Sequence, residues 1–238
     1  MTPQRGPHFR WVTSQVLKGC VLTTSDSEHM AAQMRKLGAG EVRVFPFGLE
    51  TMPPPPAHKA PWSFFANRGL EPIYRPERVI AAFASIVSAY PEARLTIAND
   101  GSLRPALEAR VGELGLANHI EFVGRLDAQT QARCYERAQW YLSLPSSDSV
   151  AVSVLEAMAH GCIPLLSDLP ANHELVRSGS NGLILTNAPI ELMPLPQQLA
   201  PLLPQALQIG RDNHEWVRLH RQFAPAVEGL MARLAELM

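Results

Sequence analysis

Residues 145–161 read PSSDSVAVSVLEAMAHG and follow an apolar run, Trp140 to Leu144, that predicts a buried strand. The first residues of the stretch are Ser and Asp, which are typical of a loop, and the later ones form a helical pattern that ends at Gly161. At the start of a helix the first N–H groups are unpaired and the helix dipole is positive. The stretch therefore predicts a strand, a polar loop and a helix N-terminus, an arrangement that binds anions such as phosphate.

Two carboxylates flank this predicted anion site. Asp148 lies in the loop and Glu156 in the helix, with seven residues between them. Phosphates require hydrogen-bond donors and sugar hydroxyls require acceptors, so a phosphate site beside two carboxylates suits a nucleotide-sugar. Taken singly, an Asp before a helix also fits an N-cap, and a Glu near a helix start also fits the helix dipole. The combination of both acids with the strand, loop and helix favours a ligand site.

The composition is that of an ordinary globular chain. Of the 238 residues, 46% are hydrophobic and 18% are charged, and the formal net charge of −1 gives no electrostatic reason to expect a nucleic acid as a partner. Three widely spaced cysteines, Cys20, Cys134 and Cys162, favour a reducing compartment over disulfides or a metal site. Because we find neither an apolar run of about 18 residues nor a signal-peptide pattern, we expect a soluble, cytoplasmic protein.

A βαβ unit is predicted over residues 1–52. The first ten residues are polar and are expected to lack regular structure. Ser25 is predicted to cap a helix that closes at Gly38, with Glu28 completing a capping box, and Val42 to Pro46 form the strand that follows. Four consecutive prolines from Pro53 stiffen the chain and cannot donate backbone hydrogen bonds, so residues 53–61 are predicted to be a linker.

A longer alternation of strands and helices follows over residues 62–187. The predicted strands are Trp62 to Ala66, Arg94 to Ala98, Ile120 to Val123, Trp140 to Leu144, Ile163 to Leu166 and Leu183 to Leu185. The predicted helices are Pro76 to Tyr90, Leu103 to Leu114, Ala128 to Arg137, Val152 to His160 and Asn172 to Ser178. This alternation predicts the α/β class, with a doubly wound, Rossmann-like parallel sheet whose ligand lies beyond the carboxyl ends of the strands. Residues 188–238 are predicted to be a helical extension, with one long helix from about Asn213 to Met238.

The stretch over residues 145–161 also resembles part of a known family. Asp148, Glu156 and the run LEAMAHGCIPLLSD from Leu155 resemble the acid-x7-Glu motif of the retaining glycosyltransferases of family four, which have the GT-B fold. Asp148 stands where the family usually has the Glu of a Glu-Gly-Phe-Gly run. The resemblance covers about residues 20–238. It implies the C-terminal, donor-binding half of a GT-B fold, in which residues 62–187 are the donor-binding domain and residues 1–52 are a remnant of the N-terminal domain.

The resemblance implies roles for individual residues. Arg68 matches a Gly-Arg-Leu run of the family and Arg75 lies near its second basic position, so both are expected to bind the diphosphate of the donor. Glu156 is expected to accept hydrogen bonds from the ribose hydroxyls and Asp148 to contact the transferred sugar, and these two acids with Arg68 form the predicted catalytic set. Backbone amides of residues 150–154 are expected to face the phosphates. The remaining predicted contacts to the donor are Gly124, Arg125, Ser149, Val150, Ala151, Val152, Val154 and Leu155.

Some polar residues at the strand ends are predicted to be architectural. Gly101 permits a tight turn, and Asp100 is predicted to cap the helix that begins near Ser102. Asp168 and Glu174 are likewise expected to be structural caps.

The activity implied by the resemblance is sugar transfer with retention, from a nucleotide-diphosphate sugar to a glycan or lipid-linked acceptor, as in polysaccharide biosynthesis. No cofactor or metal ion is expected, because basic side chains of the family assist departure of the diphosphate. The acceptor site of the family lies in the N-terminal domain, so a partner domain of that kind is expected, and any peripheral membrane association would go through it. The chain by itself is expected to bind donor nucleotide weakly and to transfer no sugar.

Three other functions compete with this one. A non-catalytic module that binds nucleotide-sugars would explain why the chain holds only part of an N-terminal domain. A dehydrogenase-type dinucleotide fold is disfavoured because the sequence lacks a Gly-x-Gly-x-x-Gly fingerprint. A flavodoxin-like scaffold domain would explain the alternation of elements, but it gives no reason for Arg68, Asp148 and Glu156 together.

Overall fold

The computed structural model describes residues 6–238, which begin with a small N-terminal unit. Its elements are α1 (Pro7–Gly19), β1 (Leu22–Ser25), α2 (Glu28–Lys36) and β2 (Glu41–Val44). β1 and β2 pair in parallel, with Thr23 opposite Val42, as predicted for a βαβ unit. Of the first ten residues, 1–5 lie outside the described part. From Pro7 onward the expectation of no regular structure is wrong, because Pro7 begins α1, where its missing N–H is not needed.

The cap of α2 differs from the prediction. Ser27, and not Ser25, is the N-cap, since its hydroxyl accepts a hydrogen bond of 3.2 Å from the Met30 N–H. β1 continues through Ser25, whose hydroxyl donates to the Ser27 carbonyl. The place of the predicted capping box is taken by Glu174, a distant residue whose carboxylate accepts from the N–H groups of Glu28 and His29 at 3.1 and 3.0 Å. The prediction that Glu174 is a cap therefore agrees with the structure, although the helix it caps belongs to the N-terminal unit.

Six parallel strands form the main sheet. They are β3 (Ala60–Ala66), β4 (Arg94–Ala98), β5 (Ile120–Gly124), β6 (Ala138–Ser143), β7 (Ile163–Ser167) and β8 (Leu183–Leu185). The helices that connect the first five are α3 (Pro76–Ala89), α4 (Arg104–Glu113), α5 (Ala128–Arg137) and α6 (Val152–Ala159). The order across the sheet is β5-β4-β3-β6-β7-β8, with all neighbours parallel. The predicted doubly wound parallel sheet is thus confirmed.

The strand order reverses between β3 and β6. The chain moves from β3 outward to β5 and then returns to the other side of β3 to lay down β6. At such a reversal the connections leave on opposite faces of the sheet, which opens a crevice at the carboxyl ends of the two central strands. Arg68 follows β3 and Pro145 follows β6, so the chain segments singled out in the sequence lie at this crevice.

The central strands are buried on both faces. Phe64 and Phe65 of β3 are 0% and 1% exposed, and they belong to separate hydrophobic clusters because successive side chains of a strand point to opposite faces. Phe64 packs with Phe83 and Trp140, and Phe65 packs edge-on against Tyr135. This two-sided core holds β3 and β6, and hence the crevice at their ends, in fixed positions.

The linker lies against the end of α6. Residues 51–59 lie outside regular secondary structure, and β3 begins at Ala60, two residues before the predicted start. Gly161 ends α6 with φ of +76°, as the sequence predicted, and a Cβ there would lie 2.4 Å from the Pro56 side chain. Lys59 is buried and donates to the Tyr135 carbonyl at 2.6 Å. The linker is therefore packed onto the domain of the main sheet.

The segment after β7 makes a single turn. Pro170–Glu174 is a 3₁₀ helix where a helix over 172–178 was predicted. After this turn, the side chain of Asn181 accepts a hydrogen bond from the Arg177 N–H at 2.7 Å, ahead of β8.

The C-terminal region also differs from the prediction. It contains α7 (Leu195–Leu199), α8 (Ala206–His220) and α9 (Phe223–Glu236) in place of one long helix from Asn213. Between α8 and α9, Gln222 is extended and pairs with Leu49, whose N–H donates to the Arg221 carbonyl at 2.9 Å. α9 then lies against the N-terminal unit, where Arg233 pairs with Glu41. Among the described helices, none has both the length and the apolar character needed to cross a membrane.

Candidate functional site

Arg68 and Asp148 form an ion pair at the crevice. Arg68 Nη2 donates to Asp148 Oδ2 at 2.6 Å, and Nη1 donates to the Ser153 hydroxyl at 3.1 Å. The guanidinium also lies over the ring of Tyr74, 4.6 Å from its centroid. The two charged side chains are 19% and 22% exposed, and burial raises the pKa of Asp148 while the Arg68 charge opposes the rise. The structure therefore brings together two of the three predicted catalytic residues, and it pairs them with each other.

Glu156 lies on α6, one turn beyond Ser153. Its Oε2 accepts a hydrogen bond of 2.9 Å from the Tyr135 hydroxyl and a longer one of 3.4 Å from Gln131 Nε2. Burial raises the pKa of Glu156, and the bond from Tyr135 opposes that rise. Within residues 6–238, no hydrogen bond to the other carboxylate oxygen, Oε1, is formed. Oε1 is thus available to accept from a ligand.

The loop amides are less available than predicted. The Val150 N–H donates to Asp26 Oδ2 at 3.2 Å, and the N–H groups of Val154 and Leu155 both use the Ala151 carbonyl. The prediction that the amides of residues 150–154 all face phosphate is therefore wrong for Val150, whose N–H is bound to Asp26, and for Val154, whose N–H closes the first helical turn. The first-turn donors that the α6 backbone leaves over are those of Val152 and Ser153.

Asp26 is a site residue that the sequence reasoning missed. It lies between β1 and α2 in the N-terminal unit, yet its carboxylate reaches the loop beside Asp148 and its charge raises the pKa of that carboxyl. The available signal was its position, since Asp26 follows a parallel strand at the carboxyl end, the end that faces the crevice. The N-terminal unit thus places a negative charge at the predicted anion site.

Arg75 supports the loop in this structure. Its Nε donates to the Leu144 carbonyl at 3.0 Å, its Nη2 donates to the Pro145 carbonyl at 2.7 Å, and both terminal nitrogens lie 3.3 Å from Asn187 Oδ1. Its backbone is left-handed, with φ of 46°. The guanidinium therefore holds the end of β6 and the start of the loop.

The turns after β4 and β5 lie farther along the sheet. Gly124 has φ of +71°, and its carbonyl accepts from the Asn99 N–H at 2.6 Å, while Arg125 is exposed. The predicted cap at Asp100 is wrong, because this carboxylate accepts from Gly101 at the turn. Glu71 instead binds the backbone N–H and the hydroxyl of Ser102, at 2.8 and 2.6 Å. Its longer side chain reaches across from the turn after β3.

Other polar groups near the crevice are structural. His160 stacks on Tyr135 with ring centroids 5.5 Å apart, and burial together with the charges of Lys59 and His214 lowers its pKa to about 4.

In the part of the chain that the structure describes, no group of three or more His, Cys, Asp or Glu side chains could hold a metal ion. A cavity of about 310 Å³ lies at the opposite, amino-terminal end of the sheet, beside Arg94, His119 and Arg137, and does not reach the crevice residues.

Fold and site together define a class: a Rossmann-like α/β domain with an arginine, two carboxylates and a helix N-terminus at the reversal of strand order. The model of a particular family, described as glycosyl transferases group 1, matches residues 54–193. The match covers more than half of the chain, and the chain belongs to this family, as the sequence resemblance implied.

Curated relatives are similar to part of the chain. It is 31% identical over 169 residues to the D-inositol 3-phosphate glycosyltransferase of Jonesia denitrificans, a match that covers 66% of this chain and 38% of the relative. It is 29% identical over 159 residues to the GDP-mannose:cellobiosyl-diphosphopolyprenol alpha-mannosyltransferase of Xanthomonas oryzae pv. oryzae, covering 64% of this chain and 37% of the relative. The matched part thus covers less than half the length of these relatives.

Solved structures share the fold. The Anabaena protein HepE in complex with UDP aligns with a TM-score of 0.81 and 14% identity, over 99% of this chain and 70% of HepE. Sucrose-phosphate synthase from Thermosynechococcus elongatus aligns with a TM-score of 0.80 and 19% identity, over 98% of this chain and 62% of that one. These likenesses confirm the Rossmann-like fold class predicted from the sequence.

Proposed function

We propose that this chain is the donor-binding half of a retaining glycosyltransferase, which moves a sugar from a nucleotide-diphosphate sugar to a glycan or lipid-linked acceptor. The observation that carries the proposal is the meeting of Arg68, Asp148 and Glu156 where the strand order reverses. The names of relatives support it: one uses GDP-mannose and a polyprenol-linked acceptor, and one solved neighbour holds UDP.

In the proposed donor complex the diphosphate replaces Asp148 on Arg68. A phosphate offers the guanidinium the same paired oxygen acceptors as a carboxylate, and the N–H groups of Val152 and Ser153 at the start of α6 add further donors. Asp148, released from Arg68, is then free to accept a hydrogen bond from a hydroxyl of the transferred sugar. Glu156 accepts from the ribose through Oε1. The diphosphate, the ribose and the transferred sugar each have a partner in this arrangement.

Charge builds up on the diphosphate as the sugar leaves. Arg68 and the positive end of α6 are already fixed beside this charge, so they stabilise it without reorganisation. We propose that these groups serve where other transferases use a divalent cation, and that no metal ion or other cofactor is needed.

The two acids provide the test of this function, because their proposed partners differ. Glu156→Gln is expected to weaken both the bare nucleoside diphosphate and the nucleotide-sugar, since both contain the ribose. Asp148→Asn is expected to weaken only the nucleotide-sugar, and to keep or strengthen affinity for the bare diphosphate because Arg68 is freed from its ion pair. Calorimetric titration with UDP, GDP and ADP and their sugar conjugates measures both effects. Equal losses of both ligands in both variants would contradict the proposed roles.

A non-catalytic nucleotide-sugar module remains the second candidate. The proposed contacts of Arg68 to the diphosphate and of Glu156 to the ribose would serve such a module equally well. The proposed transferase needs an N-terminal acceptor domain to complete the cleft, and exposed apolar side chains on α1 and α9, such as Trp11, Val16 and Met231, offer a surface for it. Sugar transfer that appears on adding such a domain favours the transferase, whereas nucleotide binding without transfer favours the module.

A further inference from the structure

A chain of buried hydrogen bonds ends on Glu156. The Tyr141 hydroxyl donates to Asn67 Oδ1 at 2.7 Å, and Asn67 Nδ2 donates to the Tyr135 hydroxyl oxygen at 2.8 Å. The Tyr135 hydroxyl in turn donates to Glu156 Oε2 at 2.9 Å. The three donor residues are at most 9% exposed. Each of these three hydrogen bonds therefore points toward the Glu156 carboxylate, and no water is needed to connect them.

The members of this chain are held rigidly by the core. The Tyr135 ring packs edge-on against Phe65 on one side, with centroids 5.0 Å apart, and stacks with His160 on the other. Asn67 immediately precedes Arg68 at the end of β3. The series of hydrogen bonds thus connects the Glu156 carboxylate on α6 to the end of β3, which carries the phosphate-binding arginine of the proposed site.

We propose that Tyr135, Asn67 and Tyr141 are positioning residues for Glu156, which hold its carboxylate by Oε2 and leave Oε1 directed to a hydroxyl of the donor nucleotide. The inference rests on the proposed function and deepens it. A carboxylate held by one oxygen loses less rotational freedom when the ribose binds, so more of the hydrogen-bond energy appears as affinity. The three residues contact Glu156 or each other, and none of them needs to touch the ligand.

The protonation of Glu156 gives a readout that a purely structural role would leave unchanged. Only the ionised carboxylate accepts at both oxygens, and the Tyr135 bond favours that form. The ionisable groups on the elements packed around it are Tyr135 on α5, Tyr141 on β6, Arg68 after β3, Lys59 before β3, Asp148 before α6, His160 at the end of α6 and His214 on α8. Because His160 also titrates in acid, the signal must come from the Glu156 carboxyl itself.

Carbon NMR of the ligand-free chain supplies that signal. With ¹³C-carboxyl-labelled glutamate, the Glu156 resonance is the one lost in Glu156→Gln, and its shift is followed against pH. In Tyr135→Phe the titration midpoint is expected to move to higher pH, because the bond that favours the ionised form is gone. Tyr141→Phe is expected to move it less, in the same direction. Tyr90→Phe is the matched control, since Tyr90 stacks on Trp62 away from the site, and it is expected to change nothing.

Nucleotide binding completes the test. For whichever of UDP, GDP and ADP the wild type binds, Tyr135→Phe is expected to lower affinity about tenfold or more and to shift the acid limit of binding to higher pH. Unchanged midpoint and affinity in Tyr135→Phe, in a chain that binds nucleotide, would overturn the positioning role alone. If Tyr135→Phe does not fold, an unchanged midpoint in Tyr141→Phe has the same meaning. Failure of the wild type to bind any of the three nucleotides would overturn the proposed function, and this inference with it.

Discussion

Asp148 and Glu156 are partly buried carboxyls, and burial raises the pKa of both. Arg68 and the Ser149 N–H limit this rise for Asp148, and the Tyr135 hydroxyl limits it for Glu156. A carboxyl with a raised pKa binds its proton more tightly in the folded chain than in the unfolded chain, so holding it ionised near neutral pH lowers the stability of the fold. Functional sites commonly carry such a cost, because the same charge is needed for the ligand.

Glu156→Gln is therefore expected to stabilise the ligand-free chain at neutral pH. The amide keeps an oxygen that can accept from Tyr135 but has no charge to bury. The stability of the wild type should fall as pH rises from the ordinary carboxyl range, about 4.3, through the raised pKa of Glu156. The gain in thermal midpoint of the variant should then be largest near pH 7 and vanish below about pH 4. Thermal unfolding followed by circular dichroism across this range measures it.

The control for this series is Glu92→Gln, which changes an exposed glutamate in the turn before β4. It should leave the difference between neutral and acid pH as in the wild type. A Glu156→Gln variant that is less stable than the wild type at pH 7 would show that the charge contributes to folding and is not a burden on it.

Arg68, Asp148 and Glu156 could be predicted from the sequence because their backbone positions follow from local pattern, a strand end and a helix start. Asp26 and the loop-supporting role of Arg75 could not, because each depends on which distant segment lies opposite. Arg75 bonds to carbonyls about 70 residues away along the chain, and Asp26 bonds to an amide 124 residues away. Rules based on residue spacing do not predict contacts between segments that lie so far apart in the sequence.

At the scale of the elements, the break between α8 and α9 connects the C-terminal helices to the segment that follows the N-terminal unit. Pro225 lies in the first turn of α9, where it has no N–H to donate, and in a continuous helix its ring would clash with the Arg221 carbonyl four residues earlier. That carbonyl instead accepts from Leu49, and Leu49 in turn accepts from the Phe223 N–H at 3.0 Å. Pro225 was thus the sequence signal that one long helix could not form.

Gly48 is the point of closest approach at this joint. A Cβ on Gly48 would lie 2.4 Å from the Gln222 carbonyl carbon and 2.6 Å from the Phe223 nitrogen, both backbone atoms that cannot move aside. Gly48→Ala is expected to destabilise the chain by about 1–3 kcal/mol, through forced displacement of α9. Urea unfolding measures the change.

Gly40→Ala is the matched control for this joint, since nothing lies within 4 Å of a Cβ at Gly40, and its effect should stay within about 0.5 kcal/mol. Equal stability of the two alanine variants would mean that α9 is not held at Gly48.

The strands of the main sheet were the most predictable elements. β4 and β8 have the predicted bounds, because a short apolar run between turn residues leaves a buried parallel strand few alternatives. The cap of α2 was harder, since Ser25 and Ser27 are chemically equal candidates. The choice is decided by how far β1 pairs with β2, and Ser25 pairs with Val44.

At the scale of the whole molecule, three contacts join the N-terminal unit to the rest of the chain. Asp26 reaches the Val150 amide, Glu174 caps α2, and Arg233 of α9 pairs with Glu41. The contact of Asp26 places the N-terminal unit beside the loop that follows β6. The proposed donor site is thus bordered by residues of both units.

The central claim is that a nucleoside diphosphate binds at Arg68 in this crevice, and calorimetric titration of UDP, GDP and ADP into three proteins tests it most directly. The wild type is expected to bind at least one of the three nucleotides. Arg68→Ala should weaken that binding by about 1.5–3 kcal/mol, the range for hydrogen bonds to charged groups. Arg110→Ala, which removes an exposed arginine of α4 paired with Glu113, should leave it unchanged. Affinity that is the same in all three proteins, or no binding by the wild type, would contradict the account.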